Sequence, residues 1–106
     1  MAIIFTSGTI TTSTSEDTIF DITEDRFFST WIYLHNMTST ETFRIKIYIK
    51  DENASTLRVY LTFDVSGVQA DPAYHIAFLP ATEYKVTIQK TAGTNRAVTW
   101  LRAEVA

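Results

Sequence analysis

The sequence predicts an all-β protein, a single antiparallel β-sandwich of about eight strands, and three observations lead there. The 106 residues include 18 Thr, 11 Ile and 6 Val, so 35 are β-branched, and 14 aromatics share their preference for pleated backbone over helix. Apolar and polar side chains alternate with a period of two over several runs, as they do in strands with one buried face. Turn-forming clusters interrupt these runs about every 8 to 12 residues, the spacing of sandwiches and barrels. No stretch keeps a helical period, and no fixed-period repeat appears.

Residues 6–18, TSGTITTSTSEDT, are small and polar apart from Ile10 and have too little apolar surface to build a core. The expectation is an extended N-terminal arm over 1–18, followed by the sandwich domain over 19–106. Such an arm is disordered in the free chain or lies as an added strand on a neighbouring subunit, where backbone hydrogen bonds supply the attraction. Ile3, Ile4, Phe5 and Ile10 are its large apolar side chains and the candidate partner-binding residues. A short strand near Ile3–Phe5 or Thr9–Thr12 completes the strand count.

Thr18–Ile22 reads as a short strand. Phe27–His35 reads as a longer one that is apolar on both faces, with Phe27, Trp31 and Tyr33 on one and Phe28, Ile32 and Leu34 on the other, which predicts a central strand or one under a second layer. The clearest alternation is Thr42–Lys50, where Phe43, Ile45, Ile47 and Ile49 face one way and Arg44, Lys46 and Tyr48 the other. Leu57, Val59, Leu61 and Phe63 repeat it, and the turn chemistry of Asp51–Ser55 joins the two runs into a hairpin. Its apolar face, with Val86 and Ile88, is the expected core, and its polar face offers Arg44 or Lys46 to Asp64 or Thr62. Ala73–Leu79, Tyr84–Lys90 and Ala97–Arg102 finish the set. They are separated by Pro80-Ala81-Thr82 and by a Thr91–Arg96 loop in which Gly93 is expected at positive φ. Eight short antiparallel strands suit a jelly-roll of two Greek-key sheets; the immunoglobulin-like sandwich is the alternative, although its pair of cysteines is absent.

The chain is poor in catalytic chemistry. It has no Cys, two His and no Gly-rich phosphate loop, so no catalytic, cofactor or metal residue is assigned and no cofactor is expected. His35 and His75 read as packed or surface side chains. The acidic pairs Glu16-Asp17, Glu24-Asp25 and Asp51-Glu52 lie in loops and read as solvated edges rather than as acid–base pairs. Residues 51–55 offer oxygens at alternate positions, but Thr56 and Thr62 stand where a calcium loop needs Gly and Glu. The sequons Asn36-Met37-Thr38 and Asn53-Ala54-Ser55 carry weight only in a secreted chain.

The net charge of -3 and nine scattered Lys and Arg leave no patch for nucleic acid or a membrane surface, and no apolar run approaches the roughly 20 residues of a membrane span. The Met-Ala-Ile-Ile-Phe start is too short and uncharged for a signal peptide, so synthesis in a cytoplasm is expected. What remains is a recognition surface: Tyr48 and Tyr60 on the polar face of the hairpin are candidates for contact with a partner or a carbohydrate.

The segment Tyr84–Trp100, reading YKVTIQKTAGTNRAVTW, resembles small β-rich virion proteins of tailed bacterial and archaeal viruses, in which a Q-T-x-G-T-x-R-x-x-x-W segment closes the chain. Tyr33-Leu34-His35-Asn36-Met37 followed by Phe43–Tyr48 is similar to a strand, turn and strand of the same proteins, with Ser39–Thr42 in place of their Gly-Asp turn. The resemblance implies a non-enzymatic virion component, synthesised in the host cytoplasm, with capsid decoration (cement) as its role and no catalytic residue. The expected partner is another virion protein such as a major capsid protein, bound by a homo-oligomer, a trimer at threefold lattice positions. The alternative is an exported carbohydrate- or protein-binding β-sandwich module with Tyr48, Tyr60 or Trp31 on its recognition face. A small hydrolase would need a convergent polar pocket that the sequence does not foretell.

Overall fold

The computed structural model describes residues 3–50, 56–69 and 73–105, with 73–74 and 76–79 described through their backbone. The turn at 51–55, with its acidic pair, its calcium-like spacing and the Asn53 sequon, lies outside the described residues. Eight strands follow in order: β1 (Ile3–Thr11), β2 (Asp17–Ile22), β3 (Arg26–Tyr33), β4 (Thr42–Lys50), β5 (Arg58–Ser66), β6 (Ala73–Ala81), β7 (Glu83–Ala92) and β8 (Ala97–Val105).

They form two four-stranded antiparallel sheets, sheet A in the order β1-β8-β3-β6 and sheet B in the order β2-β7-β4-β5. The nested pairs β1 with β8, β2 with β7, β3 with β6 and β4 with β5 are those of one long hairpin wound over itself. This is the jelly-roll order, and it sets aside the immunoglobulin-like arrangement, which keeps a different strand order in its sheets.

The two sheets meet through one alternate set of side chains from each. Sheet B supplies Phe43, Ile45 and Ile47 of β4 and Tyr84, Val86 and Ile88 of β7, all fully buried; sheet A supplies Phe28 and Ile32 of β3 and Val98 of β8. The ring of Phe28 stacks on that of Tyr84 at 4.9 Å, and the Tyr84 hydroxyl lies 2.9 Å from Thr30 Oγ1. Burial pushes the Tyr84 phenol up to about 12, so it stays protonated. The aromatic strand is central, as its two apolar faces predict: β3 lies between β8 and β6.

The hairpin of β4 and β5 departs from simple alternation at one place. Ile47 pairs with Leu61, but the next residue, Tyr48, pairs with Val59, so Tyr60 is an extra residue in β5. A bulge of this kind reverses the facing of everything beyond it. Val59, expected in the core, therefore shares the outer side with Tyr48 and is 50% exposed, and Leu61, which still points inward, is 39% exposed on an edge strand. Pro80, expected to end a strand, lies inside β6 opposite Phe27; β6 is an edge of sheet A, where a residue without an N–H is tolerated.

Residues 3–11 of the segment expected as an arm are extended and, in this single chain, occupy the outer position of sheet A, paired with β8 from Ile3↔Val105 to Thr11↔Ala97. Residues 12–16 then cross to sheet B. Their polar groups are held by hydrogen bonds: Thr12 N–H to the Arg96 carbonyl at 2.9 Å, Lys90 N–H to the Ser13 carbonyl at 2.8 Å and Gln89 Nε2 to the Thr14 carbonyl at 2.8 Å. A Thr- and Ser-rich crossing satisfies its backbone without a core of its own.

Two glycines are dictated by their neighbours. Gly93 has φ of +86°, as its loop position predicts, and a Cβ there would meet the Thr40 carbonyl oxygen at 2.5 Å. Gly8 sits opposite Trp100 across β1 and β8, and a Cβ would lie 2.8 Å from the indole. The large ring on β8 thus needs a residue without a side chain on β1.

Candidate functional site

Strand alternation assigns each outer face of the sandwich its residues, and the two faces differ in kind. The outer face of sheet B carries Arg44, Lys46, Lys50, Asp64, Glu83 and Lys85, with Arg44 Nε on Asp64 Oδ1 at 2.9 Å in one of the cross-strand pairings the sequence predicts. The outer face of sheet A has the row Ile3, Val105, Phe27 and Pro80 across all four strands, then Phe5, Ala103 and Ser29, then Ser7, Leu101, Trp31 and His75. Among the described residues, no Asp, Glu, Lys or Arg takes an outward position on this sheet. One face is hydrated by its charges; the other is apolar and aromatic.

The apolar face is a packed layer. Ser29 and Ala103 point away from the core yet are 0% and 1% exposed, because the larger side chains around them close over them. Trp31 stacks on His75 at 4.3 Å, and Ser29 Oγ lies 2.7 Å from His75 Nε2. A Ser–His contact suggests a nucleophile and its base, but a serine with no exposed surface cannot meet a substrate, so the pair fixes the histidine ring against the indole. Among the described residues, no three His, Asp or Glu come together as a metal site would require.

The first strand is held unequally along its length. Near its C-terminal end Ile10 packs against the core, whereas Ile3, Ile4 and Phe5 are 56%, 40% and 62% exposed. Ile3 and Phe5 face outward beside Val105 and Ala103, and for the inward Ile4 the reason lies opposite it. Ile4 pairs with Glu104 and Thr6 with Arg102, and these charged residues point between the sheets: the Arg102 guanidinium lies 4.8 Å over the Phe20 ring, and Arg26 Nη1 meets Glu104 Oε2 at 2.6 Å. Arg102 also pairs with Glu104, and Arg26 with Glu24. A polar interior offers little to an isoleucine, so this end of β1 gains little from its own core.

The two tyrosines part company. Tyr48 is engaged: its hydroxyl donates to Glu16, Thr87 Oγ1 donates to the same carboxylate at 2.7 Å, and Lys85 Nζ lies 5.3 Å over the ring. The bonds from Tyr48 and then Thr87 hold the Glu16 carboxyl below its ordinary range, and the bond to Glu16 pushes the Tyr48 phenol up. Tyr60, the bulge residue, is 53% exposed between Val59 and Leu61 on the edge of sheet B. The structure thus brings Ile3 and Phe5 onto the face of sheet A, leaves Tyr60 on the opposite edge and engages the half-buried Tyr48 in a clasp. Residues not singled out for binding, Phe27, Leu101, Val105, Val59 and Leu61, extend the two apolar surfaces. The aromatic row of β3 was the one signal for them in the sequence.

No family model and no curated protein sequence matches the chain. Among solved structures it is similar to a subunit of Bacillus endospore appendages, described as a novel family of disulfide-linked pili, with a TM-score of 0.56 and 14% identity over 98% of this chain and 88% of that one. It is similar to PirA, with a TM-score of 0.51 and 17% identity over 90% of each chain. A third likeness is to the VP2 subviral particle of infectious bursal disease virus, with a TM-score of 0.45 and 12% identity over 98% of this chain and 32% of that one. These identities speak to fold. The present chain has no cysteine, so it has no means of forming the disulfide links of those pili.

Proposed function

We propose that this chain is a non-enzymatic structural subunit of an assembly outside the cell or in a virion, acting through protein–protein contacts. The observation that carries the reading is the run Ile3-Ile4-Phe5, exposed on a strand whose outer edge is unpaired in the single chain. Apolar side chains beside a free row of backbone donors and acceptors are what a neighbouring subunit covers. The finer proposal is a capsid decoration subunit, a homo-oligomer that attaches to a lattice of another virion protein, such as a major capsid protein, through Ile3, Ile4 and Phe5. The resemblance of Tyr84–Trp100 to virion proteins supports it, and so does a jelly-roll whose charges leave no basic patch for nucleic acid.

The test is attachment. Capsids assembled from the major capsid protein encoded beside the gene are sedimented with the wild-type chain and with an Ile3→Thr/Ile4→Thr variant, which keeps β-propensity while removing apolar surface. Co-sedimentation that drops at least tenfold in the variant supports the proposal. Equal binding removes these residues from the contact, and a gene with no capsid gene nearby removes the virion assignment.

A second reading, an exported carbohydrate- or protein-binding module, rests on the stacked Trp31 and His75 rings of the uncharged face. A glycan array separates the two, since a decoration subunit gives no sugar-specific signal.

A further inference from the structure

Four strands form the open edges of the two sheets, and three of them carry a feature that blunts pairing with another chain. β2 spans six residues, holds Asp17 and Asp21 and is bulged at Ile19. β5 has its bulge at Tyr60 and the charges of Arg58 and Asp64. β6 contains Pro80, which has no N–H, and shifts register against β3 beyond Phe28. Among the described residues, β1 is the one edge with none of these: nine residues, IIFTSGTIT, with no charge, no proline and no break in register against β8. We infer that this edge pairs with β1 of a second copy, antiparallel about a twofold axis at Ser7, joining the two A sheets into one of eight strands. This rests on the reading of the chain as an assembly subunit and names that subunit's first partner.

A second copy is the occupant because the strand is complementary to itself. Antiparallel strands related by a twofold axis meet with paired residues on the same face. An axis at Ser7 pairs all nine residues, Ile3 with Thr11, Ile4 with Ile10, Phe5 with Thr9 and Thr6 with Gly8, whereas an axis one residue away leaves the end of each strand unpaired. On the outer face Phe5 gains a β-branched neighbour, a combination that sheets favour. On the inner face Ile4 is exposed and lies opposite Glu104 of its own chain, and the second copy gives it an isoleucine instead. In a chain of net charge -3, this is an edge on which no charge opposes its own copy. A full-register pair of this length exchanges about eight backbone hydrogen bonds, so main-chain bonding supplies the affinity, as when a peptide adds to a sheet edge. The contact is the same patch on both copies and therefore closes at two.

The experiment is charge complementation at the axis, where Ser7 is exposed. Mass in solution is measured by sedimentation over a range of concentrations for the full wild-type chain, Ser7→Lys, Ser7→Glu and an equal mixture of the two variants. Wild type is expected to rise from 12.0 kDa to twice that mass and stop. Each variant sets two like charges opposite each other and is expected to need roughly fivefold higher concentration to dimerise, while the mixture dimerises at least as well as wild type. A wild type that stays monomeric or grows past two chains overturns the inference. So do variants that dimerise like wild type, and so does a mixture that behaves like either variant alone.

The chain has no cysteine, so Ser7→Cys and Thr11→Cys each carry a single thiol. A short bismaleimide should join two copies of Ser7→Cys but not of Thr11→Cys, whose sites lie about 27 Å apart across the axis. Crosslinking of Thr11→Cys, or none in Ser7→Cys, overturns the pairing whether or not the charged variants fold. Dimers that do not co-sediment with capsids uphold the pairing and remove the virion assignment; a chain that attaches to capsids as a monomer does the reverse.

Discussion

Arg96 donates through Nε to the buried carboxylate of Glu41 at 2.9 Å, and this ion pair ties together one end of the sandwich. Glu41 also accepts from the Thr40 hydroxyl and from Thr38 N–H at 2.7 Å, while its own carbonyl accepts from Gly67 N–H at 2.9 Å. On the other side Arg96 N–H donates to Thr12 Oγ1 at 2.9 Å. The loops entering β4 and β8 thus meet at this carboxylate, the loop entering β6 joins through the Glu41 carbonyl, and the loop entering β2 joins through the Arg96 N–H.

The bond from Thr40, then that from Thr38 N–H, with Arg96 adding to them, hold the Glu41 carboxyl at about 2, against an ordinary value of 4.5. A depressed folded-state pKa contributes stability that is complete above the unfolded value and disappears as pH falls through the folded one. The urea midpoint is therefore expected to fall between about pH 4.5 and pH 2. Glu41→Gln should lower the midpoint at pH 7 and flatten the curve across that window. An unchanged slope in the variant would assign the acid sensitivity to other carboxylates.

Gly93→Ala and Gly67→Ala separate strain from collision. Both residues have positive φ, +86° and +73°, but a Cβ at Gly67 meets nothing within 4 Å, whereas at Gly93 it strikes the Thr40 carbonyl and Glu41 Cα. Backbone strain costs about 1–3 kcal/mol. Gly67→Ala should lose that much in chemical denaturation and Gly93→Ala clearly more; equal losses would mean that the β3–β4 loop yields to the added methyl.

Ile47→Ala is expected to cost roughly 2–5 kcal/mol, the range for a buried aliphatic residue, since Ile47 has no exposed surface. Lys46→Ala, one residue away on the outer face, should stay within about 0.5 kcal/mol. Val59→Ala should behave more like Lys46→Ala than like Ile47→Ala. A large loss at Val59 would show that the bulge at Tyr60 is absent in solution.

Ion pairs at the two ends of the burial scale should differ. Glu104, 3% exposed, serves both Arg26 and Arg102; Arg26 keeps Glu24, but Glu104→Ala strands the buried Arg102 guanidinium and is expected to cost about 3–5 kcal/mol. The Arg44–Asp64 pair stands in solvent, and Arg44→Ala should cost less than about 1 kcal/mol in a thermal melt.

Much of the sandwich was legible in the chain because a strand's facing is a local property. Alternation from Phe43 to Ile49, with Val86 and Ile88, marked inward residues, the aromatic run from Phe27 marked a central strand or one under a second layer, and the Thr91–Arg96 loop marked the positive φ of Gly93. Each follows from backbone sterics and a period of two, and needs no knowledge of the partner strand.

Strand order, register and the binding surfaces were decided elsewhere. A one-residue bulge at Tyr60 moves Val59 out of the core, and nothing in the alternation of β5 announces it, since only the register against β4 fixes which residue is extra. The exposure of Ile4 follows from Glu104 lying across from it on β8, about a hundred residues away in sequence, while Ile3 and Phe5 face outward with Val105 and Ala103. Gly8 makes room for Trp100 by the same long-range pairing. Which apolar side chains become core and which become contact surface depends on what the winding of the hairpin places opposite them, and burial is a property of pairs of strands brought together by tertiary structure.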